Sequence, residues 1–79
     1  FINAMFTLAQ IKQGQKVRIL SFVDPEIGAK LLEMGCLPGE IVSLSKSAPL
    51  GCPIAIDVAG YELSLRKQEA ASVLVENLN

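Results

Sequence analysis

No histidine occurs anywhere in the 79 residues, so neither a Ser–His nor a Cys–His nucleophile pair can be assembled. There is no Gly-rich loop ending in Gly-Lys-Ser or Gly-Lys-Thr, which removes the usual cradle for a nucleotide's phosphates. The 8 acidic residues are scattered singly, and nothing in their spacing pairs two of them for acid–base work. Cysteine is scarce: Cys36 and Cys52 lie sixteen positions apart, outside any Cys-x-x-Cys element. A closed zinc site needs four ligands, so the plainer reading makes both of them small buried apolar residues, with a metal or redox pair as the alternative. No metal ligand, cofactor or catalytic residue is assigned, and the chain does not read as an enzyme.

Aromatics are equally thin. Phe1, Phe6, Phe22 and Tyr61 are too few for a groove that grips proline-rich peptides. No window approaches the roughly 18 uninterrupted apolar residues of a membrane span, so direct membrane insertion is not expected. The mildly apolar Phe1–Ile11 lacks a basic n-region, which argues against a signal peptide, and two cysteines without such a signal suit a reduced, cytoplasmic protein. With 7 basic and 8 acidic residues the net charge is −1. The pI of about 5.2 does not suit nucleic-acid binding through phosphate contacts.

What the chain has is apolar bulk. Hydrophobic residues make up 51% of it and the mean hydropathy is +0.42, enough to exclude disorder as the default. Its length fits one small domain, burying about 60% of its unfolded surface or slightly more. Met5 reads as a natural start, which makes residues 1–4 a candidate cloning remnant and 5–79 the domain.

The most strongly specified stretch is Asp24 to Glu40. Asp24 can cap a helix, Pro25 suits its first position, and Glu26 places negative charge where the helix dipole favours it. Ile27, Leu31 and Met34 follow at i, i+4 and i+7, one apolar stripe on a helix over about 25–34. Gly35 stands where a left-handed residue ends a helix, and Cys36 can close the apolar contact back to Leu31. Leu37-Pro38-Gly39-Glu40 has Pro at i+1 and Gly at i+2, as a type II turn requires.

Elsewhere the pattern is mainly β. Thr7 to Ile11 predicts one helical turn capped by Thr7, with Leu8 and Ile11 covering the end of a barrel. Gln15 to Phe22 alternates, with Val17 and Ile19 facing inward. In Ile41 to Lys46 the inward pair is Val42 and Leu44, while Ile41 opens the other face. Residues 47–53 read as a loop. Ile54, Ile56 and Val58, then Tyr61, Leu63 and Leu65, form a hairpin around Ala59-Gly60. Ala59 disfavours positive φ, so a type I turn with Gly60 as a bulge is expected there. Residues 67–72 suit a short helical turn, and Val73-Leu74-Val75 a last strand.

About five short strands and one inserted helix predict a small closed or partly open barrel, which hides strand edges. Leu31 and Leu32 are neighbours and cannot both point straight into its core. One of them, with Leu37, Pro38 and Leu50, can form an exposed apolar patch of the kind that marks a protein contact. The alternative is that all of them pack inward. Arg66 and Lys67 read as a small solvated basic spot.

Four segments together resemble the ferrous iron transport protein A (FeoA) family. They are Lys30-Leu31-Leu32-Glu33-Met34-Gly35-Cys36-Leu37-Pro38-Gly39, Ala48-Pro49-Leu50-Gly51-Cys52-Pro53, Leu63-Ser64-Leu65-Arg66 and Glu69-Ala70. They stand in the family's order and spacing, and the match runs from Phe6 to Glu76. The resemblance implies an SH3-like barrel and a cytoplasmic, non-catalytic accessory protein for ferrous iron uptake. Its implied partner is FeoB, the membrane iron permease with a cytoplasmic G-protein domain, which it binds and modulates; a homo-oligomer is also compatible. Carried over by position, Leu31, Leu32, Leu37, Pro38, Gly39, Pro49, Leu50 and Gly51 are the partner-contact residues, and Leu31→Gln should abolish partner function with the fold intact. Cys36 and Cys52 depart from the family's usual residues and do not support iron ligation. The second reading is a metal-responsive domain like the C-terminal SH3-like module of iron-dependent repressors. Against it, no helix-turn-helix is read in the sequence and no histidine is present to hold the metal.

Overall fold

The main-chain N–H and C=O groups of a strand need a partner strand, and here each strand finds one in a single antiparallel sheet. The computed structural model describes residues 5–47 and 52–78. The strands are β1 (Met5–Thr7), β2 (Lys16–Phe22), β3 (Ile41–Ser47), β4 (Ile54–Val58), β5 (Tyr61–Leu65) and β6 (Val73–Asn77), in the order β1-β6-β2-β3-β4-β5. A single 3-10 turn, Leu8–Gln10, follows β1; helix α1 (Pro25–Glu33) follows β2, and the short α2 (Lys67–Ala70) follows β5. Of the inward residues read from the sequence, Val17, Ile19, Val42, Leu44, Ile54, Ile56, Val58 and Leu65 are buried, with Leu8 and Ile11 at one end, whereas Leu63 is half-buried and Tyr61 exposed at the hairpin end of β5.

Among the described residues six strands stand where about five were expected. The added one is Met5–Thr7, paired with β6 through Met5↔Glu76, Phe6↔Val75 and Thr7↔Leu74. Three residues are too few to show an alternation of their own, and the strand exists because β6 offers an open edge. In the turn that follows, Gln10 reaches back so that its Oε1 accepts from the Thr7 main-chain N–H at 2.9 Å.

Helix α1 begins and ends as its sequence dictates. The Asp24 carboxylate accepts from the N–H groups of Glu26 (2.9 Å) and Ile27 (3.4 Å), satisfying two donors that have no intrahelical partner. At the other end Cys36 N–H donates to Leu31 C=O at 2.9 Å and Gly35 N–H to Leu32 C=O at 3.1 Å, with Gly35 at φ +90. That is a Schellman motif, whose apolar contact Leu31 and Cys36 supply from inside the core. The helix lies close to β2 because Gly28 has no side chain: a Cβ there would stand 2.9 Å from the Cβ of Phe22.

The β4–β5 hairpin corrects one expectation. Ala59 at φ 50 and Gly60 at φ 90 form a two-residue turn of type I′, not a type I turn with a bulge. The register decides this: Val58↔Tyr61, Ile56↔Leu63 and Ile54↔Leu65 leave just two residues to close the loop. Ala59 therefore carries the left-handed strain, about 1 kcal/mol, that a glycine or asparagine would not. Ala59→Asn is expected to raise stability by about 0.5–1 kcal/mol, and a lower urea midpoint for that variant would show the turn to be wrongly read.

Candidate docking surface

The chain from α1 to β3 forms one pinned ledge. After the Schellman motif, Leu37-Pro38-Gly39-Glu40 closes as a type II turn, with Glu40 N–H donating to Leu37 C=O at 3.1 Å and Gly39 at φ +93. This turn is bolted to the middle of β2: Gly39 N–H donates to Ile19 C=O at 2.7 Å and Ile19 N–H to Glu40 C=O at 3.0 Å. Side chains on it are thus presented by a backbone fixed at both ends, so little ordering entropy remains to be lost on binding.

The predicted contact residues divide on this ledge. Leu31 is 0% exposed and belongs to the core, so it is no part of the surface. It lies on the Ile27–Leu31–Met34 stripe that α1 turns inward, and its neighbour Leu32 faces out, at 44% exposure. Leu37 is 43% exposed, and Pro38 and Gly39 are exposed beside it. Pro49, Leu50 and Gly51 lie outside the described residues. Ile41, 48% exposed just beyond the turn, belongs to the same ledge and was not among the predicted contacts. Its signal was the unpaired phase of β3, where Val42 and Leu44 claim the inner face.

Two ties hold α1 against the rest of the barrel. The Tyr61 hydroxyl, reaching from β5, donates to the carbonyl of Met34 at the helix end. Lys30 Nζ meets Glu69 Oε2 at 2.7 Å, and Glu69 Oε1 accepts from the Arg66 N–H at 2.9 Å, capping α2. The hydrogen bond from Lys30, then the one from the Arg66 main chain, hold the Glu69 carboxyl below its usual range, against the opposing effect of burial. A carboxylate depressed in the fold stabilises it fully above the unfolded-state value near about 4.3, and that part is lost as pH falls through the folded value. Between about pH 5 and about pH 3 the urea midpoint should fall less steeply for Glu69→Gln than for the parent chain. Parallel slopes would remove Glu69 from the acid response.

The two cysteines part company. Cys36 is wholly buried, and burial, with Glu40 adding to it, pushes its thiol up to about 11, so it stays protonated at neutral pH. Cys52 is exposed, contrary to its reading as a buried apolar residue, because it precedes β4 at the barrel rim, where its Sγ accepts from Lys67 N–H at 3.3 Å. Among the described residues no three of Cys, Asp and Glu gather as a donor set for a metal. Among the described residues no helix is long and apolar enough to cross a membrane.

The FeoA domain model matches residues 6–77. The NMR structure of an FeoA-like protein from Clostridium acetobutylicum superposes with a TM-score of 0.89 at 34% identity, covering 100% of this chain and 92% of that one. The zinc complex of FeoA from Stenotrophomonas maltophilia, a prokaryotic SH3 domain protein, gives 0.76 at 28% identity, over 89% and 88% of the two chains. An Fe(2+) transport protein A/Fe(2+) transporter FeoB fusion protein from Porphyromonas gingivalis is 36% identical over 47 residues. Those residues are 60% of this chain and only 6% of that protein. The sheet order, the inserted helix and these matches agree on an SH3-like barrel, and the chain belongs to the FeoA family.

Proposed function

We propose that this chain is a cytoplasmic, non-catalytic accessory domain for ferrous iron uptake, which docks on a FeoB-type transporter and modulates it. The observation that carries this reading is the Porphyromonas gingivalis fusion, in which an FeoA module and a FeoB transporter share one polypeptide. Joining two modules raises their effective concentration to the millimolar range, which is useful only when the two touch. The ledge supplies the contact. Leu32, Leu37, Pro38 and Ile41 are exposed along this stretch of fixed backbone, and apolar anchors buried on binding dominate the energy at protein interfaces.

The test is a pull-down and titration of the purified chain with the cytoplasmic G-protein part of a FeoB transporter. Leu32→Gln and Leu37→Gln should each weaken binding by about 5- to 30-fold while leaving the thermal midpoint within about 2–4 °C of the parent. Undiminished binding in both variants would place the contact elsewhere on the barrel. Absence of binding by the parent chain at high micromolar concentration would overturn docking on the G-protein part and direct the search to the transporter's membrane part.

A further inference from the structure

A recessed surface lies around the Lys30–Glu69 tie. Lys30 of α1 and Met34 at its C-cap, Ser64 at the end of β5, Arg66 and Glu69 around α2, and Pro53 ahead of β4 line a groove of about 500 Å³. That volume is in the range of sites that hold a few residues of peptide or a small ligand.

Its charges are unbalanced. Lys30 and Arg66 face one carboxylate, so the groove is formally +1 in a chain of net charge −1. The four residues before Cys52, Ala48 to Gly51, carry no charge that could alter this. Glu69 is already committed on both oxygens, to Lys30 Nζ and to the Arg66 main-chain N–H. The Arg66 guanidinium acts on Glu69 through its charge but makes no hydrogen bond or close ion pair among the described residues, so its N–H groups stay open to a ligand. A guanidinium at the mouth of a recess is a ready receptor for a carboxylate, which it can bind through two parallel N–H groups.

The groove also borders main chain with free hydrogen-bonding capacity. Among the described residues β5 is the last strand of the sheet, paired with β4 alone. The two-residue turn makes Val58↔Tyr61 a bonded pair, and alternation then bonds Leu63 and Leu65 to β4. Ser64 falls between them, so its N–H and C=O point away from β4, and no described group meets either. A strand edge that offers a donor and an acceptor beside a cation matches an extended peptide with an acidic side chain. Nucleic acid is a poor fit, because two cations cannot follow a phosphate backbone.

We propose that this groove binds a short acidic peptide segment in extended conformation. Its main chain pairs with Ser64, its carboxylate meets Arg66 and Lys30, and its apolar parts lie against Met34 and Pro53. The site is separate from the Leu32–Leu37 ledge and stands whether or not that ledge docks on a transporter.

The experiment is a two-dimensional ¹⁵N NMR titration of the whole chain with three probes. They are a capped seven-residue peptide of Thr and Val carrying two Glu, the same peptide with Gln in place of Glu, and inorganic phosphate. The acidic peptide should shift the Ser64 and Arg66 amides saturably in the high micromolar range, and the Gln peptide should bind at least about tenfold more weakly. Arg66→Gln should reproduce that tenfold loss. Ser64→Pro, tolerated at an edge position whose N–H faces outward, should abolish the shift of the Arg66 amide while leaving the Leu32 and Leu37 amides in place. Should Ser64→Pro not fold, the Arg66→Gln comparison still decides. No shift up to millimolar peptide, equal binding of the Gln peptide, unaltered binding by Arg66→Gln, or the same shifts with phosphate alone would each overturn the proposal.

Discussion

Leu31→Gln is expected to unfold the domain rather than strip it of a partner. Leu31 is completely buried, sits in the third position from the end of α1, and packs in the core beside Cys36, whose N–H its own carbonyl accepts. Truncation there to alanine removes apolar contact and leaves a cavity, costing about 2–5 kcal/mol. Glutamine keeps the volume but adds a buried amide that finds no partner, an additional penalty of about 1–3 kcal/mol. A domain of this length has only about 4–12 kcal/mol of total stability, so the glutamine variant stands at or beyond its limit. Circular dichroism against temperature should show Leu31→Ala melting about 10–25 °C below the parent and Leu31→Gln with no cooperative transition at room temperature. Leu32→Gln, one residue away on the outward face, should change stability by no more than about 0.5 kcal/mol. A Leu31→Gln protein with a near-parental melt would return Leu31 to the surface and contradict the packing described above. Any loss of partner binding in Leu31→Gln reports on folding, and only the Leu32 and Leu37 variants report on the ledge.

The contrast between Leu31 and Leu32 shows where the sequence could be read and where it could not. Helix α1, both its caps and the turn after it were legible because each depends on residues within about five positions of one another. The i, i+4, i+7 stripe already contained Leu31; the resemblance to the FeoA family drew it toward the surface, and burial follows the stripe. The barrel strands were legible through their alternation, with Val17, Ile19, Val42 and Leu44 all inward as read. What escaped was set by partners distant in sequence. Met5–Thr7 becomes a strand only because β6 is open beside it. Ala59 takes positive φ because the β4–β5 register leaves two residues for the loop, overriding its local preference. Cys52 is exposed because it sits at the rim, a placement its apolar character does not announce. The groove was the least legible feature, since Lys30, Ser64 and Arg66 come together from α1, β5 and the start of α2.

Gly35→Ala should be the second most damaging single substitution, for two separable reasons. The first is conformational: at φ +90 a side chain is strained by about 1–2 kcal/mol. The second is a collision. A Cβ at Gly35 would overlap the Tyr61 hydroxyl, whose hydrogen bond to Met34 C=O satisfies a carbonyl at the open end of α1. Relief requires Tyr61 to swing away and forfeit that bond, worth about 1 kcal/mol more. The sum is about 2–3 kcal/mol for Gly35→Ala and about 1 kcal/mol for Tyr61→Phe. In a Tyr61→Phe background the hydroxyl is gone, so Gly35→Ala should cost only the conformational part. Urea unfolding of the four proteins should therefore give a coupling of about 1 kcal/mol between the two sites, well outside the 0.3–0.5 kcal/mol or so expected of independent positions. Additive costs would mean that Tyr61 leaves freely and ties nothing. The coupling matters for function because Tyr61 fastens the end of α1, and with it the start of the Leu32–Leu37 ledge, to the β4–β5 hairpin. A Gly35→Ala protein that still folds should thus bind its partner less tightly than its intact Leu32 and Leu37 would allow, since a loosened ledge must be ordered again on docking.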